Sequence, residues 1–154
     1  MRIALLCVGR VRGAPFADDI AHYERLLARH ARLETVELRE AGASADGASE
    51  AVRREGEMIL SRLPADAHVC VLDREGDKYT SEGFAAWLES RRHDGRDLWF
   101  VVGGPFGIAA SVIERADSRL SLGPLTLPHQ LARVVLMEQL FRAHKILRRE
   151  PYHY

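Results

Sequence analysis

The chain alternates between short, almost unbroken apolar runs and longer stretches in which apolar residues recur every three or four positions. RIALLCVG at the amino end is apolar nearly throughout, as expected of a strand covered on both faces. Residues 15–31 follow with Ile20, Tyr23, Leu26, Leu27 and His30 at helical spacing. LETVELRE, residues 33–40, changes to period two and predicts a second strand. The small, polar AGASADGASEA reads as a loop or a frayed helix start. Ser49 is expected to cap a helix that runs to about Leu63 and stops at Pro64. HVCVLD predicts a third buried strand over 68–73, DREGDKYT a turn, and Ser81 the cap of a helix carrying Phe84, Trp87 and Leu88. A fourth strand is expected over 97–102, a short helix over 109–116 and a short fifth strand over 120–122. TLPHQLARVVLMEQLFRAHKILRRE supplies a long final helix before the tail PYHY.

This alternation predicts an α/β fold, a mainly parallel sheet with helices on both faces. With no internal repeat and no shift in composition, residues 1–154 are expected to form one domain. The apolar run from Ile3 to Val8 is far too short to cross a bilayer and lacks a signal-peptide cleavage pattern. Cys7 and Cys70 both lie within apolar runs and are expected as buried free thiols, which makes the cytoplasm the default compartment. The 22 basic residues balance 22 acidic ones. That balance argues against a stand-alone protein that grips nucleic acid by charge, though not against RNA presented by a larger assembly.

Three strand ends are unusual. VLDREG ends at Leu72-Asp73, FVVGGPFG at Gly103-Gly104, and SLGPLTLPH runs from Ser121 to His129. In an open α/β sheet, ligands sit beyond the carboxyl ends of the strands. The first strand offers only VGRVRG where a dinucleotide fingerprint needs G-x-G-x-x-G, and no phosphate loop is present. GGPFGI holds no lysine or arginine, so a ligand there would be uncharged or mildly polar. Leu122, Leu125 and Leu127 offer apolar walls, and Gly123-Pro124 a turn whose backbone suits an adenine edge. On chemistry alone a small-molecule pocket and plain turn-making both stand.

Taken together, VLDREG, FVVGGPFGI, SLGPLTLPHQLARVVLMEQLFRAHKI and the terminal PYHY closely resemble the SPOUT methyltransferase family, and within it the bacterial enzymes that methylate N3 of a pseudouridine in 23S rRNA. The resemblance runs through essentially the whole chain. It implies a deep trefoil knot near the carboxyl end, a homodimer, and S-adenosylmethionine as cofactor, with no metal. It assigns the cofactor site to Leu72, Gly103, Leu122, Gly123, Pro124, Leu125, Thr126 and Leu127, on the same three strand ends. It also implies 23S rRNA within the ribosome as partner. Related enzymes acting on tRNA or another RNA base, and a silent ribosome-binding module, are the rival readings.

Methyl transfer from a sulfonium is an in-line displacement, and the imide N3 of a uracil ring also needs a proton acceptor or a partner for its anion. The candidates are His129, Arg142, Tyr152 and His153, with His153 as base or orienter and Arg142 as substrate anchor, chiefly on the resemblance. His129 as a helix first-turn residue and Arg142 as a solvated charge are the plain alternatives. Leu131, Val134, Val135, Leu136, Leu140 and Phe141 give the long helix an apolar surface wider than one stripe, which suggests a second subunit. Two departures from the family remove positive charge: AGASADGASE at 41–50, and Tyr154 after PYH. Ribosome contacts then fall to Arg10, Arg12, Arg53, Arg54, Lys145, Arg148 and Arg149, most of which also read as solvated surface.

Overall fold

The computed structural model describes residues 1–11, 13, 15–42 and 47–152. The elements run β1 (Arg2–Val8), α1 (Ala17–Leu27), β2 (Arg32–Leu38), α2 (Gly47–Arg62), β3 (His68–Asp77), α3 (Ser81–Asp94), β4 (Leu98–Val102), α4 (Ala110–Arg115), β5 (Ser118–Leu120) and α5 (His129–Leu147). All ladders are parallel, in the order β2-β1-β4-β3-β5. The α/β architecture expected from the alternation of patterns is therefore present.

β1 shows why its sequence is apolar throughout. Ile3, Leu5 and Cys7 join a core with residues of α1, α3 and α5. Ala4, Leu6 and Val8 point the other way, into a core with Ile59 of α2 and Val112 of α4. Successive strand residues face opposite sides, so helices on both faces bury both sets. Cys7 and Cys70 are buried and unpaired, and burial pushes both thiols up to about 12, so neither is a reactive thiolate at neutral pH.

Several boundaries differ from expectation. Thr80, not Ser81, caps α3, because its hydroxyl accepts from the Gly83 amide at 3.1 Å. Ser81 is instead helical, and its hydroxyl donates to Gln139 Oε1 on α5 at 3.0 Å. Ser49 lies inside the first turn of α2, which starts at Gly47. β5 sits two residues earlier than expected, and α5 begins at His129 after an extended Thr126–Pro128 lead. The largest difference is in β3. DREGD is not a plain turn: Leu72 and Asp77 both pair with Leu120, so residues 73–76 bulge out of the ladder. Gly76 makes this possible, since a Cβ there would lie 2.7–2.8 Å from the backbone of Arg119 and Leu120.

At the far end of α5, His144 is 6% exposed and its Nε2 has no partner among the described residues. Burial first, then the neighbouring His30 and the positive charge of Arg148 and Arg92, pushes its pKa down to about 4, against a weaker opposing effect of Glu89. The folded state thus favours the neutral ring. Its contribution to stability is complete above pH 6.5 and is lost as pH falls toward 4. Urea unfolding in phosphate-free buffer should show up to about 3 kcal/mol lost across that window. Most of the loss should precede the carboxylate range, and His144→Phe should flatten it. A wild-type profile that is level down to pH 4.5 would contradict this account.

Candidate active site

The carboxyl ends of β3 and β4 and the segment after β5 meet along one side of the sheet. They enclose two adjoining clefts of about 440 Å³ and about 570 Å³. Each falls in the range of small-molecule sites. Leu72, Gly107, Ile108, Thr126, Leu127 and Ala132 line both.

Each wall follows from local chemistry. Beyond β4, Gly103–Ile108 folds back on itself: Gly104 and Gly107 form a bridge, and the Gly107 amide donates to the Gly104 carbonyl at 3.3 Å. The tip of this turn exposes Phe106. Beyond β5, Ser121 is buried, its amide donates to the Asp77 carbonyl at 2.8 Å, and its hydroxyl accepts from the Gly123 amide at 3.2 Å. This hydroxyl-centred turn aims the chain back over the cleft. Leu125 follows with 80% of its surface in solvent, an apolar side chain left uncovered. The bulge of β3 contributes Asp73, Arg74 and Glu75 to the rim, with Asp73 tied to Arg119 at 3.2 Å.

Seven of the eight expected cofactor residues line this space: Leu72, Gly103, Leu122, Gly123, Leu125, Thr126 and Leu127. Pro124 is in the same turn but is exposed and does not line either cleft. Gly103 is also required by the turn itself. A Cβ there would meet Ile108 Cγ1 at 2.5 Å and the Gly107 carbonyl at 3.3 Å. The glycine therefore lets the turn close on Ile108, and it is Ile108 that presents its side chain to the cleft.

His129 opens α5 beside the glycine turn and lines the larger cleft. Its Nε2 lies 3.0 Å from Glu40 Oε1, just beyond β2. Glu55 of α2 is 2% exposed and stands behind Gly104: its Oε1 accepts from the Ala41 amide at 3.1 Å, and its Oε2 would touch any side chain at Gly104. Neither glutamate was legible in the sequence, because no spacing links them to the turns they support.

Arg142 and Tyr152 form a separate cluster around Glu138. Arg142 donates to Glu138 Oε1 through Nε at 3.0 Å and Nη2 at 2.8 Å, and the Tyr152 hydroxyl donates to the same oxygen at 2.6 Å. The Arg142 guanidinium stacks 4.0 Å from the Tyr152 ring centre. Burial and this hydrogen bond to Glu138 push the Tyr152 hydroxyl up to about 12, so it is a donor at neutral pH. Arg142 lies thirteen positions beyond His129 on α5, about 20 Å along the axis. One chain therefore does not bring these catalytic candidates together. His153 lies outside the described residues, as do Arg12 and positions 43–46 of the charge-poor loop. Among the described residues no group of acidic, histidine or cysteine side chains is arranged to hold a metal, and no helix is long and apolar enough to cross a membrane.

Comparison with known proteins identifies the family. A family profile described as "Predicted SPOUT methyltransferase" matches residues 1–153. A protein of Rubrobacter xylanophilus named ribosomal RNA large subunit methyltransferase H is 50% identical over 156 residues, covering 99% of this chain and 98% of its own. Proteins of the same name from Gemmatimonas aurantiaca and Gloeobacter violaceus are 46% and 43% identical, over 99% and 100% of this chain and 99% of their own. With its parallel sheet, its strand-end cleft and near end-to-end likeness to these proteins, the chain belongs to the SPOUT methyltransferase family.

Proposed function

We propose that the chain, as a single domain over residues 1–154, uses S-adenosylmethionine to methylate N3 of a pseudouridine in 23S rRNA, on the assembled ribosome or subunit in the cytoplasm. The observation that carries the reading is the convergence of three separated strand ends on one apolar-walled space. The names of the relatives, which specify the RNA of the large ribosomal subunit, support the substrate class.

The residues present fit such a cofactor. Leu72, Leu122 and Leu127 offer walls for a purine, and the backbone of 103–108 and 121–127 offers amides and carbonyls at its edge. When bound, the cofactor supplies an electrophilic methyl group on a positive sulfonium. The chain has to hold the pseudouridine ring in line with that methyl, exclude water and assist loss of the N3 proton. His129, held at Nε2 by Glu40, is positioned at the cleft to orient the ring. Arg142 and Tyr152 supply positive charge and a hydroxyl donor suited to the anionic imide. Their separation from the cleft in one chain supports a homodimer in which each carboxyl end, with His153, completes the partner's site. The half-buried Val134, Val135 and Phe141 on α5 agree with a helix packed by a second copy. The family's carboxyl-terminal trefoil knot is part of the same reading.

Incubation with labelled cofactor and ribosomes lacking the modification should place one methyl group on a pseudouridine of 23S rRNA. Labelling of tRNA instead, or cofactor binding with no transfer, would overturn the assignment. Arg142→Ala should slow transfer on the order of 100-fold with cofactor affinity unchanged. His153→Ala should do likewise, and an unaltered rate would remove either residue from the mechanism.

A further inference from the structure

A separate cavity, of about 340 Å³, lies at the opposite end of the sheet, by the amino ends of β1 and β2. The methyl-transfer reading makes no use of it. His30 lines it from the connection between α1 and β2, Arg32 from the first residue of β2, Arg92 from α3, and His144 and Arg148 from the end of α5. We propose that this cavity binds a phosphate group, held by its arginines and by the two imidazoles.

Four observations carry the proposal. First, positive groups outnumber negative ones in the wall. Glu89 is its one carboxylate, and it pairs with Arg92 at 3.3 Å. Arg148 has only a loose contact with Glu150, at 3.9 Å, and Arg32 has no ion pair among the described residues. Second, His30 and His144 stack with ring centres 5.8 Å apart and planes within 15°. Each carries a buried nitrogen with no partner among the described residues, an arrangement that costs stability unless something else repays it. Third, the surrounding charge works against both rings. Burial is the largest cause for both; Arg148, Lys145 and Arg29 also oppose protonation of His30, with Glu150 favouring it, and His30, Arg148 and Arg92 oppose that of His144, with Glu89 favouring it. A bound oxyanion reverses that balance. Fourth, guanidinium groups match the geometry of phosphate oxygens, and the space accepts a phosphate with part of the group it is attached to.

The same chemistry is offered by a small phosphate ester and by the backbone of RNA, and the test separates them. The full chain is titrated with inorganic phosphate at constant ionic strength while the imidazole NMR signals of His30 and His144 are followed. Both should shift saturably toward the protonated form, on the order of millimolar phosphate, and more tightly at pH 6 than at pH 7.5. Arg32 and Arg148 are exposed, so Arg32→Gln/Arg148→Gln should fold, and it should weaken binding by about tenfold or more. Uridine monophosphate should reproduce the shift. A short RNA lacking terminal phosphates reproduces it only if the site accepts an internal backbone phosphate. No saturable shift with phosphate or the monophosphate, an equal response to chloride, or full affinity in the double variant would each overturn the proposal.

Discussion

Replacing Gly103 with valine is expected to weaken binding of the proposed cofactor, S-adenosylmethionine, on the order of 100-fold, close to 3 kcal/mol, while the sheet stays folded. The cause is local. A Cβ at this position would lie 2.5 Å from Ile108 Cγ1, 3.1 Å from Ile108 Cδ1 and 3.3 Å from the Gly107 carbonyl, and valine adds two methyl groups to it. Ile108 lines both clefts, so relief of the clash moves its side chain or the whole 103–108 turn into the ligand's space. Gly103 follows the last residue of β4, so the ladder between β1 and β4, which ends at Val102, is not interrupted. Calorimetric titration gives the affinity and circular dichroism the fold. Gly103→Ala should fall between wild type and valine. Wild-type affinity in the valine variant would place the cofactor elsewhere.

Arg133→Ala should cost about 3 kcal/mol of stability, toward the lower end for breaking a buried ion pair. The Arg133 side chain is 2% exposed, with Nη1 2.6 Å from Glu37 Oε1 and Nη2 3.6 Å from Glu24 Oε1. It therefore ties α5 to β2 and α1 through the interior. The lower end applies because Glu24 and Glu37 are 40% and 30% exposed and regain water when the arginine leaves. Arg133 Nε is buried without a partner among the described residues, a cost the native protein already bears. Arg133→Met, which keeps most of the volume, should therefore lose less than the alanine variant. Urea midpoints at pH 7 compare the three proteins, and a loss below about 1 kcal/mol for alanine would mean that the pair contributes little.

Arg133 shows where reading the chain fell short. Within LARVVLMEQL it looks like one polar residue among apolar ones, and only the fold reveals that the position faces α1 and β2 rather than water. Glu40 and Glu55 escape for the same reason: each meets its partner through packing of separate elements, whereas Glu138 meets Arg142 at i,i+4 within α5. Residues 73–76 read as a turn because they carry no apolar alternation, while the contact that defines the bulge, Gly76 against β5, is a tertiary one. The strand-end loops, by contrast, were legible because glycine and proline mark backbone geometry locally.

The apolar runs by themselves determined that strands would be buried on both faces, and hence a parallel sheet between helices. The glycine-rich strand ends marked which loops were candidates to form a pocket. These are local properties, written in side-chain type and period. Only the tertiary structure decided that Ile108 is what Gly103 makes room for, and that Glu40 holds His129. It alone seated Tyr152 on Arg142 and Glu138, and gathered arginines and histidines at the amino-terminal end of the sheet. Those facts depend on distances between residues remote in the chain, and a one-dimensional pattern carries no information about such distances until the chain has folded.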